Sequence, residues 1–231
     1  MKPRSALFVG CVLLLAATVS AQSPQTYTLS AEAEGSGVKM TITVYRDGPR
    51  ERVETSFGPA RMTTLFDFAA HKVYWIGWSG EGSCSAGRYL GSRAPASSDP
   101  VTGGLAMLPR TKTGPDMKRT VVRSESVNGI PARLEEFAPA KASSAAKVTR
   151  VWLADPGNFV VKMEGPGAEG EGTKFEVKQF SQAKPAAALL TPPANCPMTD
   201  SEMDDTGAIR AHAESKTSVT VSGEKKLGDK K

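Results

Sequence analysis

Residues 61–78, RMTTLFDFAAHKVYWIGW, decide the fold. Phe66, Phe68, Tyr74, Trp75 and Trp78 are five of the chain's fifteen aromatics. Aromatic side chains carry the largest apolar areas, so the main core or the main cavity forms around them. The segment reads as strand, tight link at Ala69-Ala70-His71, then strand. In the second strand, residues 72–78, Val73 and Trp75 point one way while Tyr74, Ile76 and Trp78 point the other. An antiparallel sheet with one wet face carries apolar groups on one side only. This strand needs cover on both.

Upstream, residues 25–34 and 37–47 read as two strands. Val38, Met40, Ile42 and Val44 share one face, with Lys39, Thr41 and Thr43 opposite, the period of a half-buried sheet. Asp47-Gly48-Pro49 turns the chain into RERVETSF, and Gly58-Pro59 turns it again. Strand follows strand with no helix between, which is an antiparallel meander. Arg46, Arg50, Arg52 and Arg61 fall around these hairpins. Ordinary outward-facing sheet charge, beside Glu51 and Glu54, is the favoured reading, and a rim that holds an anionic headgroup is the other.

Downstream, residues 79–116 are 38 in number, and 17 of them are Gly, Pro or Ser. A structureless loop of that length inside a compact domain is a lid or a disordered segment. Asp99-Pro100 is an N-cap and N1 pair, so a short helix is expected over VTGGLAML, lying across the aromatic strands. Strands resume over residues 117–126, and Asn128-Gly129 turns them into ARLEEF. Residues 148–154 and 159–164 form a hairpin around Asp155-Pro156-Gly157-Asn158, and residues 172–180 make the last confident strand. Residues 186–190 suit a short helical turn. Past Cys196 the aromatics vanish and charge dominates, so residues 197–231 are expected as a polar, disordered tail.

The first 21 residues carry a positive start at Lys2 and Arg4, an apolar run, and Val19-Ser20-Ala21 before a cleavage site, which is a secretory signal layout. A lipoprotein signal cleaved before Cys11 is the weaker alternative, because it leaves VLLLAATV as the mature start. A periplasmic or secreted protein is expected, with residues 22–196 as its folded domain. Of the formal charge of +5, Lys2 and Arg4 carry two, leaving +3 with acids and bases interspersed. No basic stripe for nucleic acid is visible. No later apolar run is long enough to span a membrane. Cys84 and Cys196 then remain, with 111 residues between them, and in an oxidising compartment such a pair reads as a disulfide. Free thiols or a shared metal site are the alternatives.

Catalytic patterns fail on context. Gly165-Pro166-Gly167-Ala168-Glu169-Gly170 fits GxGxxG, but TKFEVKQF after it is a strand, so it is a hairpin loop. Gly77-Trp78-Ser79-Gly80-Glu81 lacks the last glycine of a nucleophile elbow. His71 sits beside a turn and His212 in the expected tail. With Cys84 and Cys196 they lack zinc-ligand spacing. Asp200, Glu202, Asp204 and Asp205 lack the order of a calcium loop. No enzyme, cofactor or metal is expected.

Five segments carry a resemblance. They are ITVYRDGPRERVETSFGPA (42–60), RMTTLFDFAAHKVYWIG (61–77), SESVNGIPARLEEF (124–137), RVWLADPGNFVVKMEG (150–165), and FEVKQF (175–180) running into LLTPPANC. In order they resemble the outer-membrane lipoprotein-sorting protein family, the LolA-like half-barrels of bacterial envelopes. The resemblance implies a mainly β (α+β) fold: a strongly curved antiparallel sheet with few short helices over its concave face. It also implies an exported, non-enzymatic protein that binds a lipid or lipoprotein acyl chain there. The residues read as facing such a cavity are Met40, Ile42, Phe66, Phe68, Trp75 and Leu105. The alternative is an envelope structural or protein-interaction module with a filled core and a protein partner.

Overall fold

The computed structural model describes residues 25–35, 37–95, 98–103, 117–140, 148–166 and 172–211. The signal segment, Leu105 and the chain past Ala211 lie outside the described residues. The first meander comprises β1 (Thr26–Gly35), β2 (Val38–Asp47), β3 (Arg50–Phe57), β4 (Ala60–Asp67), β5 (Lys72–Ile76) and β6 (Cys84–Tyr89). A short helix follows, α1 (Pro100–Gly103). The second meander comprises β7 (Met117–Val127), β8 (Ile130–Pro139), β9 (Thr149–Ala154), β10 (Val160–Pro166) and β11 (Gly172–Ser181). After a 3-10 turn at Ala187–Leu190 come β12 (Met198–Met203) and β13 (Ile209–Ala211).

All these strands belong to one curved, unclosed sheet, ordered β13-β12-β6-β5-β4-β3-β2-β1-β11-β10-β9-β8-β7. Consecutive strands pair antiparallel within each meander, with short turns between β2 and β3, β3 and β4, and β7 and β8, and β1 pairs with β11 to join the two. The Asn-Gly signal acts as expected. Asn128 and Gly129 have φ of 50° and 83°, the left-handed pair that matches a type I′ turn to strand twist.

Alternation sorts the two faces. On the inner face Leu29, Ala31, Val44, Val73, Val151, Leu153 and Val177 have no exposed surface, and burying each of the valines and leucines contributes about 1.5–3 kcal/mol. The outer face carries ion pairs such as Lys162–Glu164 at 2.9 Å and Lys178–Glu176 at 3.0 Å. After β11 the chain crosses outside β2 and β3, where Arg52 donates to the Leu189 carbonyl at 3.4 Å and Lys184 pairs with Asp47 at 2.8 Å. It then delivers β12 to the free side of β6.

Three expectations change here. The strand read as residues 72–78 stops at Ile76, because Gly77 adopts φ 79°, and Trp78 is turned out to solvent. The Gly- and Ser-rich stretch after it is more than a lid. It holds β6, which pairs with β5 from Lys72↔Arg88 to Ile76↔Cys84. The expected tail also contributes strands, with β12 pairing to β6 and β13 to β12. Polar sequence suffices there because both strands are short, mostly exposed and at a sheet edge. The expected helix is seen only as α1, whose continuation lies outside the described residues.

Cys84 and Cys196 form a disulfide with Cα atoms 5.1 Å apart, closing a separation of 112 residues. In the chain-entropy model such a loop is worth at most about 4–5 kcal/mol. Reduction should add the mass of two hydrogens to the mature protein, and Cys84→Ser should abolish that shift. An unchanged mass on reduction of the unaltered protein would refute the bond.

Candidate functional site

One row of side chains crosses the inner face beneath α1. Register places Tyr27 beside Arg46, Arg46 beside Glu51, Glu51 beside Phe66, and Phe66 beside Val73. Strand alternation puts all five on the same side. Three of the five carry polar groups, and these are sealed: Tyr27 and Glu51 have no exposed surface and Arg46 has 7%.

The cap above it is polar too. Asp99, also fully buried, accepts hydrogen bonds from the Val101 and Thr102 amides at 2.9 and 3.1 Å, which is N-capping of α1. Its Oδ2 also accepts the Tyr27 hydroxyl at 2.5 Å. One carboxylate thus starts the helix and ties it to β1.

Below it, Arg46 donates to Glu51 at 2.5 Å, and its guanidinium lies 5.1 Å from the centre of the Phe68 ring. Burial pushes the Glu51 carboxyl well above the usual carboxylate range, and the nearby Asp99 adds to this, while Arg46 opposes both. Burial and then Asp99 raise the Tyr27 hydroxyl as well, so it stays a donor. Arg46 Nε and Glu51 Oε1 have no hydrogen-bond partner among the described residues. The pair is held by one contact, with the rest of each group desolvated and unpaid.

The aromatic cluster adjoins the row. Phe66 stacks on Phe68 with centroids 5.8 Å apart and meets Tyr89 edge-on at 5.0 Å. Of the residues read as cavity-facing, Ile42, Phe66 and Trp75 come together in the core at 5%, 0% and 5% exposure. Met40 and Phe68 are partly buried against them. Leu105 lies outside the described residues. The arginines divide. Arg46 is inward, contrary to the outward reading, whereas the Arg50 side chain is half exposed and pairs with Asp67 at 3.1 Å. Arg46 and Glu51 could have been found by extending the Met40, Ile42, Val44 alternation one step, since residue 46 keeps the same parity.

A hollow of about 510 Å³ opens elsewhere, chiefly against the outer face. Lys39, Thr41, Lys162, Lys174, Glu176 and Lys178 line it, and of the described cavity candidates only Met40 borders it. It is a charged hollow with acids and bases interleaved. Among the described residues no three His, Cys, Asp or Glu side chains gather as metal ligands. Nor is any described helix long and apolar enough to cross a membrane.

No protein-family model matches the chain, and no curated protein sequence matches it either. Among solved structures it is similar to the MucA/MucB complex of Pseudomonas aeruginosa, at 18% identity and a TM-score of 0.47. That match covers 75% of this chain and 58% of the other, so the chain spans less than two thirds of it. It is similar to lipoprotein LppX of Mycobacterium tuberculosis, at 9% identity and a TM-score of 0.39, over 70% of this chain and 89% of that one. It is also similar to a LolA superfamily protein of Nitrosomonas europaea, at 10% identity and a TM-score of 0.29, over 74% and 91%. The likeness is one of fold.

The buried pair makes two predictions. Arg46→Met leaves Glu51 alone in the interior and should cost about 3–5 kcal/mol in urea unfolding, while Arg46→Met/Glu51→Leu should recover most of that loss. A double variant no more stable than the single one would contradict the pairing. The pH dependence follows from the raised Glu51 carboxyl. It holds its proton more tightly folded than unfolded, so stability falls as pH rises from the ordinary carboxylate value through the raised one. Glu51→Gln should flatten that fall, measured as the unfolding midpoint against pH.

Proposed function

We propose that this chain is a non-enzymatic binding protein of the cell envelope that engages a protein partner, with its inner face filled by its own side chains. One observation carries the reading: Ile42, Phe66 and Trp75 are at most 5% exposed. These are residues that would have to line an open apolar cavity in a lipid carrier. Their surface is already satisfied by packing, so an acyl chain placed there would have to displace the Phe66, Phe68 and Tyr89 cluster.

The polar groups support the non-enzymatic part. Buried acids are the usual candidates for proton transfer. Here each is bound to a structural partner. Glu51 holds Arg46, Asp99 caps α1, and Glu135 accepts hydrogen bonds from Arg119 and Arg133, the latter at 2.8 Å. Burial raises the Glu135 carboxyl, but the two arginines together outweigh it and hold it below the usual range. The envelope location rests on the signal layout of the first 21 residues. The domain proposed to work there is residues 22–196, extended by β12 and β13.

Native mass spectrometry of protein purified from the envelope of exporting cells tests the choice. The expected spectrum holds the mass of the mature chain, with no adduct the size of a lipid or acyl chain. A co-purifying lipid that disappears in Phe66→Asp would overturn the filled-face reading in favour of a carrier.

A further inference from the structure

The free edge of β6 is covered by β12, and the pairing is unlike every other in the sheet. It is parallel, with Met198↔Ala86, Glu202↔Arg88 and Met203↔Tyr89, and its register slips between Met198 and Glu202. Parallel pairs are slightly less stable per residue, and this one is short. Beyond the ladder itself, hydrogen bonds fix both ends of the pairing. The Ala86 amide donates to the Pro197 carbonyl at 2.8 Å, the Leu90 amide to the Met203 carbonyl at 2.9 Å, and the Thr199 hydroxyl to the Ala86 carbonyl at 2.9 Å. The Arg88–Glu202 pair at 2.8 Å is exposed and adds little. Only Met203 in β12 is buried.

The acceptor is nevertheless shaped for a strand. A Cβ on Gly87 would collide with the Ser201 carbonyl and come within 2.8 Å of the Trp75 ring. Position 87 is bare where β12 runs. The donor strand arrives from residues 191–197, TPPANCP, an irregular connection with a turn at Ala194–Asn195, in which prolines cannot donate to a sheet ladder. Cys196, just ahead of β12, is bonded to Cys84 at the start of β6.

We propose that the edge of β6 is a strand-acceptor site, filled here by the chain's own β12, and that the Cys84–Cys196 bond keeps the strand at home. Without the bond, the occupant is β12 of a second copy, exchanged reciprocally. The identical segment meets the same bare glycine, the same ladder and flanking hydrogen bonds, and the same seat for Met203. Exchange of an element held by a short edge contact and reached through an irregular connection is a low-cost route to a dimer. The inference goes beyond the proposed function and stands without it.

The test uses the full chain with native Cys84 and Cys196, in a Cys11→Ser background. Light and isotopically heavy protein are reduced with excess dithiothreitol under native conditions, mixed at high concentration, and reoxidised with oxidised glutathione. The expected result is a reduced protein that keeps its far-ultraviolet strand signal and elutes at twice the chain mass. After reoxidation, peptides that join Cys84 to Cys196 should include light–heavy pairs, rising with concentration toward about half. Gly87→Val should abolish the light–heavy pairs. Only light–light and heavy–heavy pairs at every concentration would overturn the proposal. A reduced chain that loses its sheet would overturn it too, because the acceptor edge must outlast the bond.

Discussion

The architecture depends on the pairing of β1 with β11. The two meanders are local structures, each strand pairing with the next in sequence. Among the described strands the two are joined in the sheet where β1, placed first in the sheet-forming chain, hydrogen-bonds to β11 from Thr28↔Ser181 to Glu34↔Lys174. That contact closes a loop of well over a hundred residues, so its entropy cost is met late. The seam is built accordingly. Leu29, Ala31, Phe175 and Val177 are all at 3% exposure or less, and the Phe180 ring lies 6.0 Å from Tyr27 and 5.0 Å from Phe159. A bulge between Ser30 and Ala31 bends the strand at this point. The inner face becomes continuous across both meanders only because this seam exists.

Continuity brings a second constraint. A wide inner face needs a cover, and the described part of that cover is a four-residue helix with little apolar surface of its own. Its attachment is therefore polar. Asp99 caps α1, receives Tyr27 from β1, and sits close enough to Glu51 to raise that carboxyl. The buried Arg46–Glu51 pair answers the same need from below, because an uncompensated charge there would be far more costly than a pair. Stability is not the reason to retain such a pair, since apolar replacements of similar volume are often as stable. The placement of the cap rests instead on Tyr27, whose hydroxyl must meet Asp99 from β1.

Much of this was legible in the sequence, and the failures share a cause. Strands with alternating apolar residues, such as β2 and β11, and turns with strong signals, such as Asp47-Gly48 and Asn128-Gly129, were read nearly to the residue. So was the gathering of Ile42, Phe66 and Trp75 on one face. What escaped were elements whose stability comes from neighbours. SCSAGRY has the composition of a loop, yet it is a strand because β5 offers it a ladder and Gly87 admits β12. MTDSEM has almost nothing to bury and is a strand because β6 has an open edge. Arg46 and Glu51 were judged by charge when parity already placed them inside. Propensity describes what a segment prefers alone, and each of these segments is decided by what stands next to it.

The same logic bears on where this protein meets others. A sheet of this width that does not close must leave two edges, and edges attract further strands. On the β6 side the chain covers its own edge, adding β12 and β13 and fastening the arrangement with a disulfide. On the other side β7 is eleven residues long, mostly exposed, and presents Val121 and Val122 at 57% and 43% exposure. A bulge between Val121 and Arg123 disturbs its ladder, and Lys118, Arg119 and Arg123 place charge along it. Those are the devices that keep an edge from pairing indiscriminately. On one side the edge passes to the short, exposed β13, and on the other it is the long, charged β7. The inner face is occupied by the chain's own aromatics, so what the described sheet leaves exposed is its edges and its outer surface.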